Sequence, residues 1–84
     1  MVKSIANKIF FDQEKNIYYV KLSEKAHDYS LILENLKEYT QLFYIFLDKE
    51  KDYYLIALKP RDNSLNEKEI EELLWLLSFS SIKK

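Results

Sequence analysis

Eighty-four residues, 48% apolar and 32% charged, describe one small globular domain spanning 1–84, with room for a modest core. A formal net charge of −1 argues against tight binding to a phosphate backbone or an anionic membrane. Cysteine and glycine are both absent, which excludes disulfides, thiolate metal sites and glycine-rich phosphate loops, and makes a reducing cytoplasm the expected setting.

The first residues, "MVKSIANK", lack a hydrophobic signal core, so export is not expected. Residues 9–22, "IFFDQEKNIYYVKL", have the grammar of a β-hairpin: apolar, β-branched and aromatic residues flank a charged turn. Without glycine the turn must rely on Asn, Asp and Lys, and Asn16 is well placed. If Asp12 faces Ile17, then Phe11 pairs with Tyr18 and Ile9 with Val20 on one face. A one-residue slip would mix the faces, so this register is favoured.

A helix is predicted over residues 28–41, capped by Asp28 or Ser30, with Tyr29, Ile32, Leu33, Leu36 and Thr40 as its apolar stripe. The chain then nearly repeats itself: "IFLDKEKDYYLIAL", residues 45–58, follows the first hairpin by thirty-six residues and turns near Asp52. The same register logic pairs Leu47 with Tyr54, Ile45 with Ile56 and Phe43 with Leu58. The apolar run "LFYIFL", residues 42–47, is far too short for a membrane span. Pro60 closes the last strand, and Asn66 with Glu69 forms a capping box for a second helix, Leu65 stapling onto Ile70; Ser64 with Glu67 is an overlapping alternative. Ile70, Leu73, Leu74 and Leu77 form that helix's core stripe. The expected fold is therefore α+β, a two-layer sandwich of order ββαββα, with four antiparallel strands and both helices on one face. The doubled stretch suggests an internal ββα repeat, with convergence on a shared hairpin grammar as the alternative.

Two helices cover one face of a sheet, so the other should be polar. Here it carries Phe10 opposite Tyr19 and Phe46 opposite Leu55, with Leu42, Tyr44, Tyr53 and Ala57 nearby and Lys8, Lys21 and Lys59 at the margins. A contiguous patch of this kind more often marks a partner site; scattered surface tyrosines with incomplete burial are the alternative. On the second helix Trp75, Phe79 and Ile82 recur at i, i+4, i+7, away from the core stripe, and are interface anchor types, with a curled chain end that packs Trp75 on the domain's own edge as the alternative. Partner-binding residues are therefore expected among Trp75, Phe79, Ile82, Phe10, Tyr19, Tyr44 and Phe46, with the helix set preferred because Trp is the commonest anchor type.

Catalytic signals are sparse. His27 beside Asp28 has no recognisable nucleophile or ligand set and reads as a residue flanking a helix cap. The hairpin-tip carboxylates Asp12, Glu14, Asp48, Glu50 and Asp52 are interleaved with Lys15, Lys49 and Lys51, the pattern of a solvated turn. No catalytic, cofactor or metal residue is assigned, and enzyme activity is not expected. Aromatics on an open sheet can stack single-stranded bases, but the acidic balance and the missing Gly-containing sheet motif weigh against nucleic acid.

From residue 17 the strand "IYYVKL", the segment "HDYSLILENLKEYTQLFYIFLD", the strand "DYYLIALKPRD" and the helix start "EKEIEELL" together resemble the HxsD family of small proteins. That family is encoded with radical-SAM enzymes in the His-Xaa-Ser peptide-maturation system. The C-terminal "LLWLLSFSS" departs from it in lacking polar Asn, Glu and Gln positions. The resemblance implies a non-catalytic accessory protein serving a peptide-modifying enzyme. Separately, "RDNSL" followed by an apolar, Trp-containing helix is similar to the small dimerising subunit of the KEOPS tRNA-modifying complex, also non-catalytic. The expected role is a cytoplasmic adaptor acting through protein or peptide contact, as a homodimer or as a subunit of a complex.

Overall fold

In a computed structural model, which describes residues 2–6 and 8–84, the chain runs β1 (Val2–Ala6), β2 (Ile9–Asp12), β3 (Ile17–Ser23), α1 (Tyr29–Tyr39), β4 (Phe43–Lys49), β5 (Tyr53–Pro60) and α2 (Glu67–Ser80). The fold is α+β, with one antiparallel sheet of order β1-β2-β3-β5-β4. The sheet has five strands rather than the expected four. The added strand, β1, lies along β2 and carries an irregularity between Ser4 and Ala6.

The first hairpin has the expected register, with Ile9 opposite Val20, Phe11 opposite Tyr18 and Asp12 opposite Ile17. Its turn is held by Asp12, whose Oδ1 accepts from the N–H groups of Glu14 (3.1 Å) and Lys15 (3.4 Å). Asn16 completes it at φ 54°, a left-handed conformation that asparagine tolerates better than most residues.

The second hairpin is displaced by two residues from expectation: Leu47 pairs with Ile56, Ile45 with Leu58, and Phe43 with Pro60. The cause is local. Asp48 does not fold the turn as Asp12 does; its Oδ1 accepts from the adjacent Lys49 N–H at 2.9 Å, and β4 continues through Lys49. Glu50 N–H then donates to Tyr53 O at 2.8 Å, and Asp52 has no positive φ. A two-residue slip preserves the alternation, so the buried set is unchanged. At the centre of the sheet Val20 pairs with Ile56, its counterpart thirty-six residues on. That correspondence does not extend through the outer hairpins, and β1 has no equivalent in the second half.

Both helices pack on the face carrying Ile9, Tyr18, Val20, Leu22, Phe43, Tyr54, Ile56 and Leu58, all buried. Helix α1 begins at Asp28, whose Oδ1 accepts from Ser30 and Leu31 N–H. Its buried stripe is Ile32, Leu36 and Tyr39; Tyr29, Leu33 and Thr40, expected on that stripe, are exposed. The buried residues keep an i, i+4, i+7 spacing on a stripe rotated around the helix from the expected one, toward Tyr39. Tyr39 packs near Phe43, and its hydroxyl donates to Leu73 O on α2 at 2.6 Å. Helix α2 has the complete Asn66–Glu69 capping box and buries Ile70, Leu74, Leu77 and Ser78, with Leu73 and Leu65 half-buried against the core.

The residues after α2 fasten the two helices together. Asp28 N–H donates to Ser81 O at 2.8 Å, Lys83 N–H to Ala26 O at 2.9 Å, and Asn35 Nδ2 to Ser81 Oγ at 3.1 Å. His27 sits beneath this clasp, 1% exposed, with Nδ1 2.9 Å from Ser23 O.

Candidate interaction face

Strand alternation sends Phe10, Ile17, Tyr19, Lys21, Tyr44, Phe46, Tyr53, Leu55, Ala57 and Lys59 to the face away from the helices. One row crosses four strands: Phe10, Tyr19, Ala57, Phe46. The expected Phe46–Leu55 pairing is replaced by Phe46–Ala57, a consequence of the two-residue displacement, and Leu55 faces Asp48 instead. Because alanine is small, Phe46 stands above its neighbours, 68% exposed, with Tyr44 beside it at 56%. Phe10 and Tyr19 are half-buried in the same row. A shallow groove of about 310 Å³ runs alongside, lined by Ile17, Tyr44, Ile45, Phe46, Ala57 and Lys59.

Cations frame this apolar strip. Lys21 Nζ lies 5.7 Å from the Phe10 ring centroid and 4.8 Å from that of Tyr53. The Arg61 guanidinium stacks 4.3 Å over the Tyr44 ring and is anchored by Nε donating to Thr40 O at 2.7 Å. Each cation is drawn to the negative face of a ring while its alkyl stem covers apolar surface. Arg61 is absent from the residues expected on this face. The signal was present: positions 55, 57, 59 and 61 continue one alternation past Pro60.

The aromatic residues of α2 form a separate patch. Trp75 and Phe79 stack with ring centroids 5.6 Å apart, 37% and 62% exposed. Ile82, expected on the same helical stripe, lies beyond the helix, which ends at Ser80 with Ser81 as its cap; its backbone bridges to His27 instead. Leu76, 57% exposed, was not among the expected residues and lines a second shallow groove with Leu65, Glu69, Glu72 and Leu73. Glu69 and Glu72 make this groove acidic, and α2 as a whole carries Glu67, Glu69, Glu71 and Glu72 against Lys68. Two of them, Glu67 and Glu71, act on Tyr18, whose phenol is pushed above its ordinary value first by burial and then by these carboxylates.

Among the described residues no group of three or more His, Asp or Glu side chains is placed to hold a metal ion. No helix among them is long and apolar enough to cross a membrane. No family model, curated protein or solved structure matches the chain.

Proposed function

We propose that this chain is a non-enzymatic accessory protein of the cytoplasm, acting by protein or peptide contact through the open face of its sheet. The observation that carries the reading is the exposed aromatic pair Tyr44 and Phe46, flanked by Lys59 and Arg61 on a sheet face that neither helix covers. A ligand with apolar side chains and nearby carboxylates suits this surface, since rings supply contact area and cations supply orientation. The likeness of "IYYVKL" through "LKPRD" to the HxsD family supports a peptide-modifying radical-SAM enzyme, or its precursor peptide, as the partner class.

The test is calorimetric titration of the purified chain with the products of its adjacent genes, in particular any radical-SAM enzyme and short precursor peptide. Micromolar binding lost in Phe46→Ser is expected; no binding to any of them overturns the reading. A second reading, a small nucleic-acid-binding module or the dimerising subunit of a tRNA-modification complex, draws on the same aromatics and cations. It predicts submicromolar binding to single-stranded oligonucleotide, weakened by added salt and by Phe10→Ala or Phe46→Ala.

A further inference from the structure

We infer that β4 is the seam of a homodimer in which two copies join their sheets edge to edge, antiparallel and centred on Ile45. The inference concerns the strand edge, and its test reads self-association of the purified chain rather than binding of the partner proposed above.

The argument begins with the backbone. Arg61 N–H donates to Leu42 O at 2.9 Å, and Glu50 N–H to Tyr53 O at 2.8 Å. Both pairs belong to the β4–β5 ladder, whose register alternates bonded and unbonded positions. Even-numbered residues of β4 therefore turn their N–H and C=O groups toward β5, and odd-numbered ones turn theirs to the free edge. Lys49 N–H is already taken, donating to Asp48 Oδ1 at 2.9 Å. Phe43, Ile45 and Leu47 are left with outward amides and carbonyls that receive no bond from elsewhere in the described chain.

Such an edge recruits another strand unless something blocks it. The opposite edge, β1, carries the irregularity between Ser4 and Ala6. From Phe43 to Leu47, β4 has no proline, no bulge and no charge.

A second β4 answers the open groups fully in one register. With Ile45 opposite its own copy, Phe43 faces Leu47 of the partner, and all three odd residues on each strand exchange both bonds. Centring on Tyr44 pairs Leu47 with Gln41, outside β4. Centring on Phe46 requires the Lys49 N–H that Asp48 already holds. On the outer face the Ile45-centred register sets Tyr44 against Phe46 in both directions, pairing the two most exposed aromatics of the sheet.

Charge agrees with the same register. Asp48 of one copy comes opposite Leu42 of the other, and Leu42 is the ladder neighbour of Arg61. The guanidinium already leans over Tyr44, toward the seam. Neither Asp48 nor Arg61 has a salt-bridge partner within its own chain among the described residues. Two equivalent Asp48–Arg61 pairs form, and no like charges are set opposite one another. The product is a continuous ten-strand sheet with the helices on one side and both aromatic grooves on the other.

Sedimentation velocity from about 1 to 500 μM, with amide exchange by NMR, tests this. The expected result is a concentration-dependent dimer in which Phe43, Ile45 and Leu47 amides become at least tenfold more protected as it forms. Asp48→Arg and Arg61→Asp are each expected to weaken dimerisation at least tenfold, and the double reversal to restore it; circular dichroism confirms that each variant is folded. A monomer throughout the range overturns the inference. So does a dimer whose odd β4 amides exchange freely, or one that ignores the charge reversals and dissociates with Trp75→Ser plus Phe79→Ser.

Discussion

Replacing Tyr39 with phenylalanine isolates one hydrogen bond that ties α1 to α2. The ring is buried near Phe43 and its hydroxyl reaches Leu73 O at 2.6 Å. Phenylalanine keeps the packing and removes only the donor. The Leu73 carbonyl retains its helical partner four residues on, so no acceptor is orphaned, and the cost should be that of an ordinary net hydrogen bond, about 0.5–1.5 kcal/mol. For a domain of this size each kcal/mol is worth roughly 4–8 °C in melting temperature. The pH dependence sharpens the test. Burial, reinforced by Glu38, raises the Tyr39 phenol above its ordinary value of 10.0. A raised folded-state value means the stabilisation is fully present below pH 10.0 and is lost as pH climbs from there through the folded value. Between pH 10.0 and the folded value the unfolded chain ionises first, and the gap between parent and Tyr39→Phe narrows by up to about 1.4 kcal/mol per pH unit. Tyr18 is common to both proteins and cancels. Urea unfolding at pH 8 and near pH 11 measures the gap directly. An unchanged gap, or a substitution without effect at pH 8, refutes the reasoning.

Asn66→Ala removes half of the α2 capping box and should cost about 1 kcal/mol in urea unfolding, whereas Asn66→Asp should be nearly neutral. At Asn16, held at φ 54°, Gly should be tolerated without loss, while Ala costs roughly 1–2 kcal/mol by the same assay. Leu74→Ala opens a cavity in a fully buried site and should cost about 2–5 kcal/mol. Glu67→Gln with Glu71→Gln should lower the Tyr18 pKa toward, but not to, the free-tyrosine value, because burial remains its larger cause; ring-carbon NMR across an alkaline titration reads this.

Alternation made the two faces of the sheet legible in the sequence, down to the Phe10–Tyr19 pairing and the burial of Ile9, Val20 and Ile56. It could not distinguish registers that differ by two residues, since both put the same side chains inward. The choice in the second hairpin rested on where Asp48 sends one carboxylate oxygen. The fifth strand escaped for a different reason: "VKSIA" is short, mixes Ser and Lys with its apolar residues, and has no echo thirty-six residues on. Helical spacing correctly set Trp75 and Phe79 on one side of α2, but continued the helix to Ile82. The chain instead leaves the helix at Ser80 to bond the start of α1, a long-range contact that spacing does not encode.

Area alone does not say which of the two exposed aromatic surfaces better suits the proposed partner. With roughly 200 Å² for a phenylalanine ring and somewhat more for tryptophan, Tyr44 and Phe46 leave on the order of 250 Å² open, and Trp75 and Phe79 about 200 Å². At about 25 cal/mol per Å² these are each worth roughly 5–6 kcal/mol before ordering costs, a difference too small to decide. What surrounds the rings separates them. Trp75 and Phe79 already stack on one another and have lost part of what a partner could offer. Phe46 faces only Ala57, and the strand that carries it has three residues with open backbone groups at its edge. An incoming chain gains directional hydrogen bonds at β4 that α2, with its backbone bonded internally, cannot supply. The sheet side is therefore the surface on which specificity as well as affinity can be built.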